Sequence, residues 1–184
     1  MRKLVHSEII DVRKDTKHIK EYKRHPIKLL LNNVRSLYNV GSIFRSSDSA
    51  LVEEIILTGF TPHPPRKEIE KTALGATETV PWRYYKDANE AIKLHKEGGY
   101  KICALEITNN CRNYNDLSED DFPILIIAGN EISGVDDEIL ELCDFSIEIP
   151  MYGVKHSLNV SVAVGIAIYN TLNIYNKVVK NEKN

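Results

Sequence analysis

Five short apolar runs recur along the chain, at residues 27–31, 53–58, 100–107, 123–128 and 145–149, and helical signals fill most of the gaps between them. Residues 40–50 read as a helix that starts after Asn39, residues 89–96 as a short helix closed by Gly98-Gly99, residues 136–142 as another, and residues 157 to about 179 as one long helix. Strands that alternate with helices need crossover connections, which make the strands parallel and put helices on both faces of the sheet. The expected fold class is therefore α/β, with a mostly parallel sheet. Residues 60–82 hold four of the seven prolines and read as a long loop with a helical turn around 68–74. Such a loop in a compact domain is usually functional or mobile.

A length of 184 residues suits one domain, and 42% hydrophobic with 27% charged residues argues against disordered, collagenous or coiled-coil chains. The net charge is −2, but it is unevenly spread. Residues 1–28 hold nine Lys/Arg against four Asp/Glu, and residues 29–184 hold fifteen against twenty-two. The reading is a basic, helical N-terminal arm over residues 1–25 that could meet a polyanion, followed by one domain over residues 26–184; a solvated helix surface would have the same composition. Cys103, Cys111 and Cys143 are odd in number and form no CxxC, so neither a disulfide framework nor a zinc site is indicated, and no metal is expected. The first residues lack the apolar stretch of a signal peptide, and no run approaches a membrane span, so a cytoplasmic setting without membrane attachment is expected.

Three segments follow predicted strands, where open parallel sheets bind ligands. In NNVRSLYNVGSIFR, Asn39 stands at the expected helix start and Arg45 in its second turn. A cation so near a helix amino terminus gains nothing from the helix dipole, so a phosphate or carboxylate partner would account for it; a surface arginine is the alternative. In AGNEISGVDDEIL, Gly129 and Gly134 bracket Glu131. The pattern is neither a dinucleotide fingerprint nor a phosphate-binding loop, and it reads as a ligand-approaching loop or a tight turn. In IEIPMYGVKHSLNVSVAVGIAIYN, Ser157 and Asn159 suit helix capping, His156 reads as a surface histidine, and Val160, Val164, Ala167 and Ile168 form a core stripe. Loops of this kind at one sheet edge suit an adenine and an amino-acid group better than a triphosphate.

These segments resemble the three motifs of the SpoU (TrmH-like) branch of the SPOUT RNA methyltransferases. The resemblance rests on Asn39-Val40-Gly41 with Arg45, on Gly129-Asn130-Glu131 with Gly134, and on Ile149-Pro150-Met151-Tyr152-Gly153 with Ser157-Leu158-Asn159-Val160-Ser161. It covers about residues 27–172. It implies transfer of a methyl group from S-adenosyl-L-methionine to a ribose 2′-hydroxyl of tRNA or rRNA by a homodimer whose C-terminal part is a deep trefoil knot. It assigns Gly129, Ile149 and Leu158 to the cofactor, with Met151, Ser157 and Leu105 beside them. Arg45 takes the place of the arginine that activates the hydroxyl, and Asn39, Glu131, Ser157 and Asn159 take supporting polar roles, with Glu131 bracing the loops. RNA contact is expected from Arg13, Lys14, Lys17, Lys20, Lys23 and Arg24 in the arm, and from Arg66, Lys67 and Lys71. The alternatives are a non-catalytic RNA-binding protein that keeps the fold and an ordinary nucleotide-binding α/β enzyme. The missing phosphate-binding loop disfavours the latter.

Overall fold

The computed structural model describes residues 1–180 apart from 16, 17 and 20. Its strands are β1 (His25–Asn32), β2 (Val52–Thr58), β3 (Trp82–Tyr85), β4 (Lys101–Leu105), β5 (Arg112–Asn113), β6 (Ile124–Ala128) and β7 (Phe145–Glu148). They form one sheet in the order β3-β2-β1-β6-β4-β7-β5, with every pairing parallel. The register sets Leu29 beside Ile55 on one side and Ile126 on the other. Central strands of a parallel sheet are covered on both faces, and Ile27, Leu29, Leu30 and Leu31 are all fully buried.

The alternation along β1 and β6 divides the core in two. Leu29, Leu31 and Ile126 face α2 (Leu37–Ser49), α3 (Lys67–Ala73), α4 (Ala76–Thr79) and α7 (Val160–Tyr175), meeting Val40, Phe44, Ile69, Val164 and Ile168. Leu30, Leu125 and Ile127 face α5 (Ala88–Glu97) and α6 (Asp137–Leu140), meeting Ile92 and Ile139. The expected helices on both faces are present. Helix α3 lies hard against α2 because residue 41 is glycine: a Cβ there would strike Thr72 Oγ1 and the Ile69 carbonyl.

Several local expectations need correction. The span expected as a long loop, 60–82, carries α3 in place of the helical turn expected around 68–74, and then a second helix, α4, with Ile69, Ala73 and Ala76 buried, and it delivers edge strand β3. Its apolar residues recur at helical spacing, and the clustered prolines at 62, 64 and 65 precede the helices rather than interrupt them. Helix α2 starts at Leu37, not after Asn39, because the Ser36 side chain caps it by accepting from Asn39 N at 3.3 Å. Arg45 therefore sits in the third turn. Helix α7 starts at Val160, capped by Asn159, so Ser157 precedes it; the helix ends at Tyr175 and continues as a wider turn over Asn176–Lys180. Strand β5, two residues long, carries no sequence signal. Among the described residues of the arm, the one α-helix is α1 (His6–Asp11), which buries none of its residues.

Candidate active site

In the sheet, β6, β4 and β7 are neighbours, and their carboxyl ends open onto a cleft of about 350 Å³. Its walls are residues 105–107, 128–134 and 147–149, with Met151, His156, Ser157, Leu158, Val160 and Ala163. All six residues expected around the cofactor, namely Leu105, Gly129, Ile149, Met151, Ser157 and Leu158, line this one cavity. The lining carries the carboxylates Glu106, Glu131 and Glu148 and no lysine or arginine.

Tight local bonding shapes the walls. After β6 the chain turns so sharply that a Cβ on Gly129 would run into the Gly134 carbonyl. Asn130 and Gly134 exchange two backbone hydrogen bonds of 2.9 Å, and Asn130 Oδ1 accepts from Ile132 N and Ser133 N. Glu106, at the end of β4, accepts from Val135 N at 3.0 Å and clips this loop to its neighbour. Asp136 accepts from the side-chain amides of Asn32 and Asn33, and Asn130 Nδ2 donates to the Asn33 carbonyl. Sequence reading missed Glu106, Asn33 and Asp136. The only signal for them was the Asn-Asn pair that ends β1.

One chain of polar contacts joins the three motifs. The Glu131 carboxylate accepts from Arg35 N at 2.9 Å, Ser36 N at 3.1 Å and Asn39 Nδ2 at 3.0 Å, so it also serves the amino terminus of α2. Asn39 Oδ1 accepts from Asn159 Nδ2 at 3.1 Å, and Asn159 Oδ1 accepts from Ser161 N and Oγ. Partial burial alone would raise the Glu131 pKa, but the donors from Arg35, Asn39 and Ser36 hold it below its ordinary value. Glu131 thus stands where a brace between loops would stand.

The other two polar residues differ. Ser157 lines the cleft, and its hydroxyl makes no hydrogen bond among the described residues. Arg45 is not part of the lining. It is exposed, and its guanidinium has no hydrogen bond or ion pair among the described residues. At about 100° per residue, six residues past Asn39 turns it roughly a third of a turn away from Asn39's face of the helix.

The basic residues are scattered. Arg13, Lys14, Lys23, Arg66, Lys67 and Lys71 are exposed, and Lys14 lies 3.8 Å over the Tyr22 ring. Arg24 is committed to the fold, because its guanidinium donates to the carbonyls of Val52 and Thr79. Lys17 and Lys20 lie outside the described residues. Among the described residues no cluster of His, Cys, Asp or Glu is placed to hold a metal, and no helix is long and apolar enough to cross a membrane.

Residues 26–169 match the model of the SpoU rRNA Methylase family. The chain belongs to that family. A Staphylococcus haemolyticus protein assigned to the TrmH family of tRNA/rRNA methyltransferases is 31% identical over 141 residues, 77% of this chain and 56% of that protein. The chain thus spans little more than half the length of that relative. Among solved structures, the TrmH/SpoU tRNA modifying enzyme of A. aeolicus superposes with a TM-score of 0.78 at 28% identity, covering 88% of this chain and 83% of its own. An AdoMet-bound rRNA methyltransferase from Sinorhizobium meliloti shares the fold with a TM-score of 0.76 at 24% identity, over 84% of this chain and 59% of its own. The all-parallel sheet with its covering helices is that of the SpoU/TrmH architecture.

Proposed function

We propose that this SpoU-family chain methylates a ribose 2′-hydroxyl of tRNA or rRNA with S-adenosylmethionine, as a cytoplasmic homodimer. The observation that carries the reading is the convergence on one cleft of all six expected cofactor-side residues, tied to Asn39 and Asn159 through Glu131.

The lining fits the cofactor. A volume of about 350 Å³ is that of a small-molecule site. Leu105, Ile149, Met151 and Leu158 offer apolar surface to an adenine, and the strand ends offer backbone donors and acceptors. Carboxylates without opposing cations favour a ligand bearing a sulfonium and an ammonium over a phosphate. When bound, the cofactor supplies a methyl group already activated on positively charged sulfur. The task left to the protein is positioning, which contributes on the order of 7–11 kcal/mol when reacting atoms are held at about 3–3.5 Å.

Arg45 binds a nucleotide phosphate and polarises the ribose hydroxyl. Its pKa, above about 12, makes it an orienting cation rather than a base. The free guanidinium at its place on α2 is consistent with that role. Ser157, with its hydroxyl unengaged, relays the hydroxyl proton to solvent. Glu131 holds Asn39, and Asn39 holds Asn159, so the loops keep their shape while RNA docks.

The test is incubation with methyl-labelled S-adenosylmethionine and bulk tRNA and rRNA, followed by alkaline hydrolysis. Label is expected in alkali-resistant dinucleotides, because a methylated 2′-oxygen cannot attack its neighbouring phosphate. RNA binding without transfer would establish the non-catalytic alternative, and label on a base would overturn the ribose assignment.

A further inference from the structure

A second cavity, of about 800 Å³, lies at the opposite edge of the sheet, where β1, β2 and β3 begin. Tyr22, Trp82 and Tyr175 supply aromatic walls and Lys23 an exposed cation, while Arg24 in the same wall is bonded to the carbonyls of Val52 and Thr79. The acids in its wall are Glu53, already held by Lys28 and the Tyr100 hydroxyl, and Glu78. It shares no residue with the carboxyl-edge cleft.

Trp82 opens β3, which is the edge strand and pairs only with β2. Side chains two apart on a strand share a face, so Trp82 and Tyr84 point the same way. The exposed His63 ring lies between them, 6.0 Å from Trp82 with planes 22° apart and 5.1 Å from Tyr84. The Tyr84 hydroxyl donates to the Gly59 carbonyl at 2.6 Å, next to Phe60. Tyr84 is 41% and Phe60 63% exposed. Phe60 N in turn donates to Asn33 Oδ1, and Asn33 is bonded to Asp136 and Asn130 in the loop that walls the cleft. An aromatic row therefore runs along the sheet edge from the pocket toward the site.

All four residues of the row belong to a segment, residues 60–86, whose sequence is basic. Residues 60–86 hold five Lys/Arg against three Asp/Glu, and residues 1–28 nine against four, in a protein whose net charge is −2. Exposed π faces beside lysine and arginine are the chemistry of single-stranded nucleic acid binding, where bases stack and cations follow the phosphates. Duplex RNA keeps its bases stacked on one another and gives such a row nothing to hold.

We propose that the amino-edge pocket and the row Trp82, His63, Tyr84 and Phe60 form a stacking track for a single-stranded stretch of RNA that leads to the carboxyl-edge cleft. The proposal rests on the RNA reading above. Trp82 is the only tryptophan of the chain, so its fluorescence reports the junction of pocket and row. Short oligoadenylate is expected to quench it saturably. Phe60→Ala and Tyr84→Ala should each weaken that binding about fivefold or more, the effect of losing one stacked base. Tyr84→Phe keeps the ring, loses only the hydroxyl, and should bind as the parent does; it also controls for folding. An RNA duplex of equal length that competes as well as the single strand, or alanine variants that bind oligoadenylate unchanged, would overturn the track. The readout needs no methyl donor. Binding along the track without methyl transfer would sink the catalytic reading alone, whereas transfer with an unaltered KM for RNA in both alanine variants would sink the track alone.

Discussion

Two polar clusters in this molecule are built from similar groups and do opposite things. At the carboxyl edge, Glu131, Asn39 and Asn159 sit at the surface and join segments up to 120 residues apart, and nearby Arg45 is left with a free charge. On the α5 face, Glu54 is buried against Lys28 at 3.1 Å and His95 at 3.6 Å, and also takes a two-pronged contact from Arg83; Glu53 takes Lys28 and Tyr100. Burial alone would raise the Glu54 pKa, but the donors from His95, Arg83 and Lys28 hold it far below the carboxylate range. Where each charge is answered inside the fold, the cluster is architecture. Where one is left facing solvent beside the site, it is free to meet a ligand's charge.

The largest effect should come from breaking the answered cluster. Glu54→Gln leaves His95 without its carboxylate and buried Lys28 with only the longer contact to Glu53, and loss of one partner from such a group costs about 3–5 kcal/mol. Chemical denaturation should show that loss, while methyl transfer per folded molecule stays at the parent value. A fall in specific activity with stability unchanged would reverse the roles of the two regions.

Arg45→Ala is the converse. An exposed, unpaired side chain should change stability by no more than about 0.5 kcal/mol. Losing an orienting cation at the reacting hydroxyl should lower the transfer rate about 10²–10³-fold, with Arg45→Lys in between because a point charge replaces the fork. Full activity of both variants at every pH would remove Arg45 from the chemistry.

The parts of this division that could be read in the sequence were those with a period or a motif. The apolar runs gave five of the seven strands, and the glycine and capping residues marked loops that line one cleft. What could not be read was set by contacts distant in the chain. Asn39 looked like a cap, but Ser36 takes that role because Glu131, 92 residues away, draws the Asn39 side chain outward. Clustered prolines let α3 show only as a helical turn and hid α4, because a proline before a helix and one inside it look alike until the packing of Ile69, Ala73 and Ala76 decides. The two residues of β5 are set by their pairing with Ile147 and Glu148 and by the Arg112 bonds to Asp121, all to residues later in the chain. The answered cluster was invisible for the same reason: Lys28, Glu54, Arg83 and His95 are ordinary charges until the sheet register and α5 bring them together.

Glu131→Gln probes the brace with a smaller effect. The amide keeps one acceptor and turns a donor toward the N–H groups of Arg35 and Ser36, so about 1 kcal/mol should be lost, the size of a helix cap. The folded pKa of Glu131 is depressed, so its contribution is present above the ordinary glutamate value near ~4.3 and fades as pH falls through the folded value. The stability gap between parent and variant should therefore be full at neutral pH and shrink in acid. A gap that widened in acid would mean that the carboxylate is strained rather than held.

Tyr100→Phe should cost least. The ring keeps its place, with Lys28 Nζ 4.6 Å above it, and only the 2.7 Å bond to Glu53 is lost. Glu53 is partly open to water, which can replace a phenol, so the loss should fall near ~0.5 kcal/mol, the low end for a hydrogen bond. Its use lies in double-mutant cycles. Tyr100 and Glu54 share Lys28, through Glu53 in one case and directly in the other, so their effects should couple by about 0.5 kcal/mol or more. Tyr100 and Glu131 share no partner, so Tyr100→Phe and Glu131→Gln should add within about 0.3–0.5 kcal/mol. Coupling in the second cycle as strong as in the first would mean that the two polar regions respond as one unit, and that the boundary between architecture and site runs somewhere other than along the sheet.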